Sequence, residues 1–239
     1  MRINPTLPNL SETGWCLDSR LLSIGQELQF LSKLPGNEPG GCSAAIVKQP
    51  LSKNEFSVFL QSIVPDLELG EVEETGNPLD FAVEGNENAF FVVLADNGEI
   101  LLTRDGRWHV NEQGVLVNVN GQPILDVNNN TIPLDTEQFA VTPDGGIEIE
   151  GQERIQIKVT ETARDNLAWR DGVRFGLKDP NALETAATGT YAVGNCKLMK
   201  SNINSVDNSL MTAELAAEND GLNASLAFVS KFRDELFSL

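Results

Sequence analysis

Gly70-Glu-Val-Glu-Glu-Thr-Gly-Asn-Pro-Leu-Asp-Phe-Ala-Val-Glu-Gly85 and Thr103-Arg-Asp-Gly-Arg-Trp-His-Val-Asn-Glu-Gln-Gly-Val-Leu-Val-Asn-Val-Asn-Gly-Gln-Pro-Ile-Leu125 are the two runs that decide the fold. In the first, Leu79, Phe81 and Val83 alternate with Asp80, Ala82 and Glu84, the period of a strand with one apolar face. Between the runs, Phe90–Leu94 is continuously apolar and suits a strand buried on both faces. The dipeptides Asn97-Gly98, Asp105-Gly106, Gln113-Gly114 and Asn120-Gly121, and the later Asp144-Gly145-Gly146, supply the positive φ of tight hairpin turns. Further on, Ile147 and Ile149 alternate with glutamates, Ile155, Ile157 and Val159 with Gln156 and Lys158, and Val173, Phe175 and Leu177 repeat the pattern. Short strands at regular turns predict an antiparallel β barrel or sandwich-like domain over 67–197.

Outward from this centre the period changes. Leu17, Leu21, Ile24, Leu28 and Leu31 alternate spacings of four and three, which is one seam of a helix. Pro35-Gly-Asn-Glu-Pro-Gly-Gly41 ends it as a loop. Ser52-Lys-Asn-Glu55 has the form of a capping box, and Phe56, Phe59, Leu60 and Ile63 follow at helical spacing, so a second short helix is expected over 52–63. Residues 1–66 are therefore expected to form an N-terminal helical region. At the other end, Leu215, Leu222, Val229 and Leu236 recur every seven residues with Leu226 between them, which predicts a C-terminal amphipathic helix over 198–239. The expected class is mainly β, flanked by N- and C-terminal α-helices. Each seam needs a partner, because a short isolated helix is marginal in water.

Composition narrows the function. The 239 residues carry a formal charge of −18. Between Lys53 and Arg104 eleven carboxylates occur and no basic residue. Such a surface repels nucleic acid and anionic lipid, which need Lys and Arg to displace counterions. The longest apolar run, Ala89–Ala95, is far short of the ~20 residues a membrane helix requires. Cys16, Cys42 and Cys196 are widely spaced and odd in number, which supports neither a disulfide framework nor a zinc site. Met1–Ser11 lacks the apolar core of a cleaved secretory signal.

No residue pattern points to catalysis, a cofactor or a metal. His109 is the single histidine and sits on an expected strand, where a structural or surface role is favoured. The pairs Glu73-Glu74 and Asp80/Glu84 have no feature that marks them out in an acid-rich chain. Asp126, Asn128, Asn130 and Glu137 fall at positions 1, 3, 5 and 12 of a calcium loop. Thr131 stands where that loop needs glycine, however, and an Asn-rich turn is the better reading. Neither glycine-rich nucleotide signature occurs.

The two quoted runs resemble the bacterial flagellar axial family, the rod and hook proteins. The first carries a hallmark of the type G-x-x-x-x-T-G-N-P-L-D-x-A-I-x-G, here Gly70, Thr75, Gly76, Asn77, Pro78, Leu79, Asp80, Ala82, Val83 and Gly85, followed by Phe90-Phe-Val-Val93. The second matches in Thr103, Arg104, Gly106, Trp108, Asn111, Gly114, Leu116, Val117, Gly121, Pro123 and Leu125. Weaker likenesses follow at Val141–Gly145, Leu177–Leu183 and Leu198–Asn204. The resemblance implies a non-enzymatic structural subunit of the rod or hook–basal body. It further implies export without a cleaved signal, and assembly with other axial proteins or copies of itself through the helical ends. The hallmark glycines, Asn77, Pro78 and Trp108 are then scaffold residues. Both ends depart from the family pattern: the run N-N-L-A-N-x-x-T-x-G is absent, and Thr212–Leu222 replaces the usual Arg and Tyr by acids. The alternative is a non-polymerising soluble binding or accessory protein that retains the β domain, cytoplasmic if it is not exported.

Overall fold

The computed structural model describes residues 24, 38–41, 44–50, 59–136, 138–171, 173–203 and 205–237. These fall in two compact units. One, the β body, comprises 38–41, 44–45 and the described residues of 64–203. The other comprises 24, 46–50, 59–63 and 205–237.

In chain order the strands are β1 (Ala44–Pro50), β2 (Phe59–Pro65), β3 (Val72–Glu74), β4 (Phe81–Glu84), β5 (Ala89–Leu94), β6 (Ile100–Thr103), β7 (Trp108–Val110), β8 (Leu116–Asn118) and β9 (Ala140–Val141). There follow β10 (Gly146–Glu148), β11 (Ile155–Gln156), β12 (Val159–Glu161), β13 (Leu167–Asp171), β14 (Arg174–Leu177), β15 (Glu184–Thr185), β16 (Ala192–Asn195) and β17 (Lys197–Met199), then helix α1 (Ser205–Phe237). The largest sheet has the order β13-β14-β6-β5-β12-β15, with antiparallel pairing throughout. A three-stranded sheet β11-β10-β9 and the pairs β16-β4, β17-β3, β7-β8 and β1-β2 complete the described β structure.

The period-2 pattern explains how this sheet is held. β5 is buried along five of its six residues. Ala89, Phe91 and Val93 point into one apolar cluster with Phe81, Trp108, Leu116, Ile124 and Ile147. Phe90 and Val92 point the other way, onto Leu67, Leu102, Leu125, Leu167 and Phe175. The centre of the sheet is thus covered on both faces, as its unbroken apolar run predicts. Its edges are blunt. β13 carries a bulge between Trp169 and Asp171, and β15 is two exposed residues, Glu184 and Thr185. Both devices discourage edge-to-edge pairing with other chains.

Two expectations change. The β body is sandwich-like, and among the described residues no sheet closes into a barrel. The expected helix over 52–63 is corrected in its second half, because Phe59–Pro65 is strand β2, paired with β1; residues 51–58 lie outside the described residues. A short apolar run satisfies either period, and a paired neighbour strand decides between them. Of the N-terminal seam, Ile24 is helical and fully buried; Leu17, Leu21, Leu28 and Leu31 lie outside the described residues.

Thr160 on β12 is fully buried and its Oγ1 has no hydrogen-bond partner among the described residues. A buried hydroxyl without a partner costs about 1–3 kcal/mol. Thr160→Val is therefore expected to stabilise the β body by about 1 kcal/mol, read as a higher urea midpoint at unchanged slope. A lowered midpoint would show that the hydroxyl is satisfied in solution.

Candidate functional site

The two runs that decide the fold meet. Phe81 N–H donates to Gly106 O (2.9 Å), Trp108 N–H donates to Leu79 O (3.2 Å), and Asp80 bridges Arg107 antiparallel. The Trp108 ring stacks on Phe81 with centroids 4.3 Å apart and meets Phe91 edge-on at 4.7 Å. Its Nε1 donates to Asp105 O at 3.1 Å, so the buried indole is satisfied. Gly106 is glycine for space: a Cβ there would lie 1.6 Å from Phe81 O. The sequence pattern expected Asp105-Gly106 to be a positive-φ turn like its neighbours. Gly76, Gly114 and Gly121 do have φ of 73–76°, with nothing near a built Cβ, whereas Gly106 serves a close crossing of two backbones.

Around the crossing sit polar groups that bind main chain. Arg104 is only 1% exposed. Its Nη1 donates to Leu67 O (3.0 Å), its Nε to Ala89 O (3.4 Å) and its Nη2 to Glu87 O, while its guanidinium lies 4.6 Å over the Phe90 ring. Five donors in a fixed fork let one arginine hold three carbonyls at once. Thr103 Oγ1 donates to Val173 O (2.8 Å) and accepts from Asp105 N–H (3.0 Å). The buried Asp105 carboxylate takes Arg107 at 2.7 and 2.9 Å, which raises the Arg107 pKa further and keeps it charged; Arg107 also reaches Glu38 at 3.1 Å.

The hallmark turn faces the other way, toward the outgoing chain. Asn77 folds the turn on itself, donating through Nδ2 to Asp80 Oδ1 (3.0 Å) and accepting from Leu79 N–H (3.2 Å), while Thr75 Oγ1 accepts from Asn77 N–H. Thr75 N–H and Gly76 N–H both donate to Cys196 O (2.8 and 3.4 Å), and Lys197 N–H donates to Asp80 O (3.2 Å). β3 pairs with β17 and β4 with β16, so residues 72–84 bind residues 192–199 along their length. Cys196 adopts φ +57° at the corner between β16 and β17.

A clasp results, because the incoming chain binds there too. Gly40 N–H donates to Met199 O (2.7 Å) and Asn202 N–H to Gly41 O (3.2 Å). Asn202 Nδ2 donates to Asp66 O (3.0 Å) and Glu68 O (2.7 Å). Lys200 N–H donates to Glu71 O (2.8 Å), and its ammonium is held above the usual lysine pKa by hydrogen bonds to Glu73, then Glu71. Gly70 is fixed by crowding, since a Cβ would lie 1.9 Å from Lys200 O. The chain therefore enters the β body at 38–41 and 64–72 and leaves it at 196–203 through one hydrogen-bonded throat. Gly40, Lys200 and Asn202 were not singled out from the sequence. The C-terminal helix expected from residue 198 is corrected at its start: Leu198 and Met199 belong to β17, residues 200–203 are part of the clasp, and α1 begins at Ser205.

The remaining candidates separate from this site. On α1, Leu215 is 5% exposed, Leu222 and Leu226 are half-buried, and Val229 and Leu236 occupy the same seam by position. His109 is exposed on β7. The Asp126 Oδ1 accepts from Asn128 N–H (2.8 Å) and Asn130 N–H (2.7 Å), folding the Asn-rich turn. Among the described residues no three His, Cys, Asp or Glu side chains are grouped to hold a metal ion, and no helix is long and apolar enough to cross a membrane.

Comparison with known proteins bears on this arrangement. Residues 82–149 match the family described as the flagellar hook protein FlgE/F/G D1 domain. The chain is 44% identical over 66 residues to the flagellar basal-body rod protein FlgF of Mesorhizobium japonicum, covering 28% of this chain and 26% of that one. It is 38% identical over 122 residues to FlgF of Caulobacter vibrioides, covering 51% and 46%. It is 26% identical over 183 residues to the flagellar hook-basal body complex protein FlhO of Bacillus subtilis, covering 71% and 64%. The chain thus spans less than two thirds of the length of each of these relatives.

Proposed function

We propose, from the homology of the β body to the flagellar rod and hook proteins, that this chain is a structural subunit of the bacterial rod or hook–basal body. In this reading it performs no catalysis. The β body is a rigid module, and assembly with other axial proteins or further copies runs through the terminal helices. The observation that carries the proposal is the clasp. It ties residues 38–41 and the start of the first hallmark run to residues 196–203, the segment that leads into α1.

The energetics favour assembly over solitary helices. α1 has 33 residues and so a length of about 50 Å. Each Leu side chain fully buried on assembly contributes about 1.5–3 kcal/mol, so a seam containing Leu222 and Leu226 outweighs the marginal stability of the helix alone. The charge of −18 opposes packing of copies, and raising ionic strength should strengthen association. Localisation in the basal body, after export without a cleaved signal, follows from the same reading.

The test is recovery of the protein with the organelle. In cells that carry the gene, the chain should co-purify with detergent-extracted hook–basal bodies, and its deletion should leave cells without complete hooks. If basal bodies lack the chain and the deletion strain swims normally, the chain is an accessory protein and the proposal is wrong.

A further inference from the structure

A groove of about 800 Å³ on the β body lies between the hallmark turn, the strand β7 hairpin and the segment around Leu134. Its floor is apolar, formed by Leu79, Val110, Leu134 and Phe139, all packed against the larger core cluster. Its ionisable rim is His109, Glu112 and Asp135, each exposed, and among the described residues no Lys or Arg lines it. The volume is within the range of pockets that hold ligands or peptide side chains.

The walls are fixed before anything binds. Asn77 locks the turn through its bonds to Asp80 and Leu79. Asn111 Oδ1 accepts from Gln113 N–H (3.0 Å) and Val115 N–H (2.9 Å), and Leu134 N–H donates to Gly114 O (2.8 Å). A groove ordered in advance loses little conformational entropy on binding. The side chains that shape the walls are committed to those walls, while the two carboxylates on the rim form no ion pair with a Lys or Arg among the described residues.

We propose that this groove is a docking site for an extended segment of a partner protein, with an aliphatic side chain flanked by Lys or Arg. The aliphatic group would fill the apolar floor and the cations would meet Glu112 and Asp135. Charge complementarity selects this occupant, since an acidic rim on a chain of charge −18 disfavours the acidic surface of a second copy. The proposal does not depend on the helical ends or on a flagellar role.

The experiment uses the full chain and a neutrally labelled peptide, acetyl-Ala-Lys-Leu-Arg-Ala-amide, followed by fluorescence anisotropy. Saturable binding is expected, weakened about tenfold by Glu112→Lys with Asp135→Lys, and lost when the peptide leucine is replaced by serine. Glu148→Lys with Glu150→Lys changes the net charge equally at exposed positions outside the groove and should leave binding intact. Unchanged circular dichroism melting of both double variants establishes that they fold. Absence of saturable binding, or equal loss in the remote variant, would overturn the proposal by reducing the effect to general acidity. Self-association abolished only by the groove variant, with no peptide binding, would give the groove to a second copy and also overturn it.

Discussion

Gly106→Ala is expected to lower the stability of the β body severely. The added Cβ would lie 1.6 Å from Phe81 O and 2.5 Å from its carbonyl carbon, so main chain must move rather than a flexible side chain. That movement breaks the Phe81–Gly106 hydrogen bond and separates Trp108 from Phe81, the stacked pair at the centre of the larger core cluster. A cost of about 3–5 kcal/mol is expected, a large part of the ~5–15 kcal/mol that holds a domain together. Gly114→Ala is the matched control. It meets nothing within 4 Å and bears only the strain of φ +73°, about 1–2 kcal/mol. Urea unfolding followed by Trp fluorescence distinguishes the two. Equal midpoints would mean that the crossing of the two runs is not what holds the body together.

The second large effect is on assembly. Leu222→Asp, or Leu226→Asp, should abolish association while leaving the β body intact. Both residues lie on α1, half-buried beside the buried Leu215 on the same helical seam. A carboxylate forced into an apolar seam must be desolvated or protonated, and either costs several kcal/mol. The β body has its own two apolar clusters and its own clasp, none of which includes a residue of α1. Its urea midpoint should therefore be unchanged. If the variants still assemble, the helical seam is not the interface. If they unfold the β body, the two units are not independent.

Much of the fold was legible because alternation and turn chemistry act locally. The double burial of β5 follows from five consecutive apolar residues, and the turns at Gly114 and Gly121 follow from the residue types that tolerate positive φ. The clasp was less legible. Gly106 and Gly70 look like turn glycines in the sequence, but both are required by backbone that arrives from 25 or more than 100 residues away, Phe81 and Lys200. Arg104 is part of the second run's match, but its three carbonyl partners come together only in the fold. Asn202 carries no local signal, because its role lies in its bonds to Asp66 and Glu68. The spacing of Phe56, Phe59, Leu60 and Ile63 is helical, and the pairing of Phe59–Pro65 with β1 overrides it. The resemblance identified the scaffold residues as a group. The structure adds which of them turn the chain, which admit a close crossing, and which hold carbonyls.

In the proposed function a self-sufficient β body delivers helical ends for assembly. Sedimentation velocity of the purified chain over a wide concentration range, beside Leu222→Asp, tests it most directly. Concentration-dependent oligomers that strengthen with ionic strength are expected in the unsubstituted chain, and a folded monomer in the variant. A monomer at every concentration and ionic strength in the unsubstituted chain would contradict it.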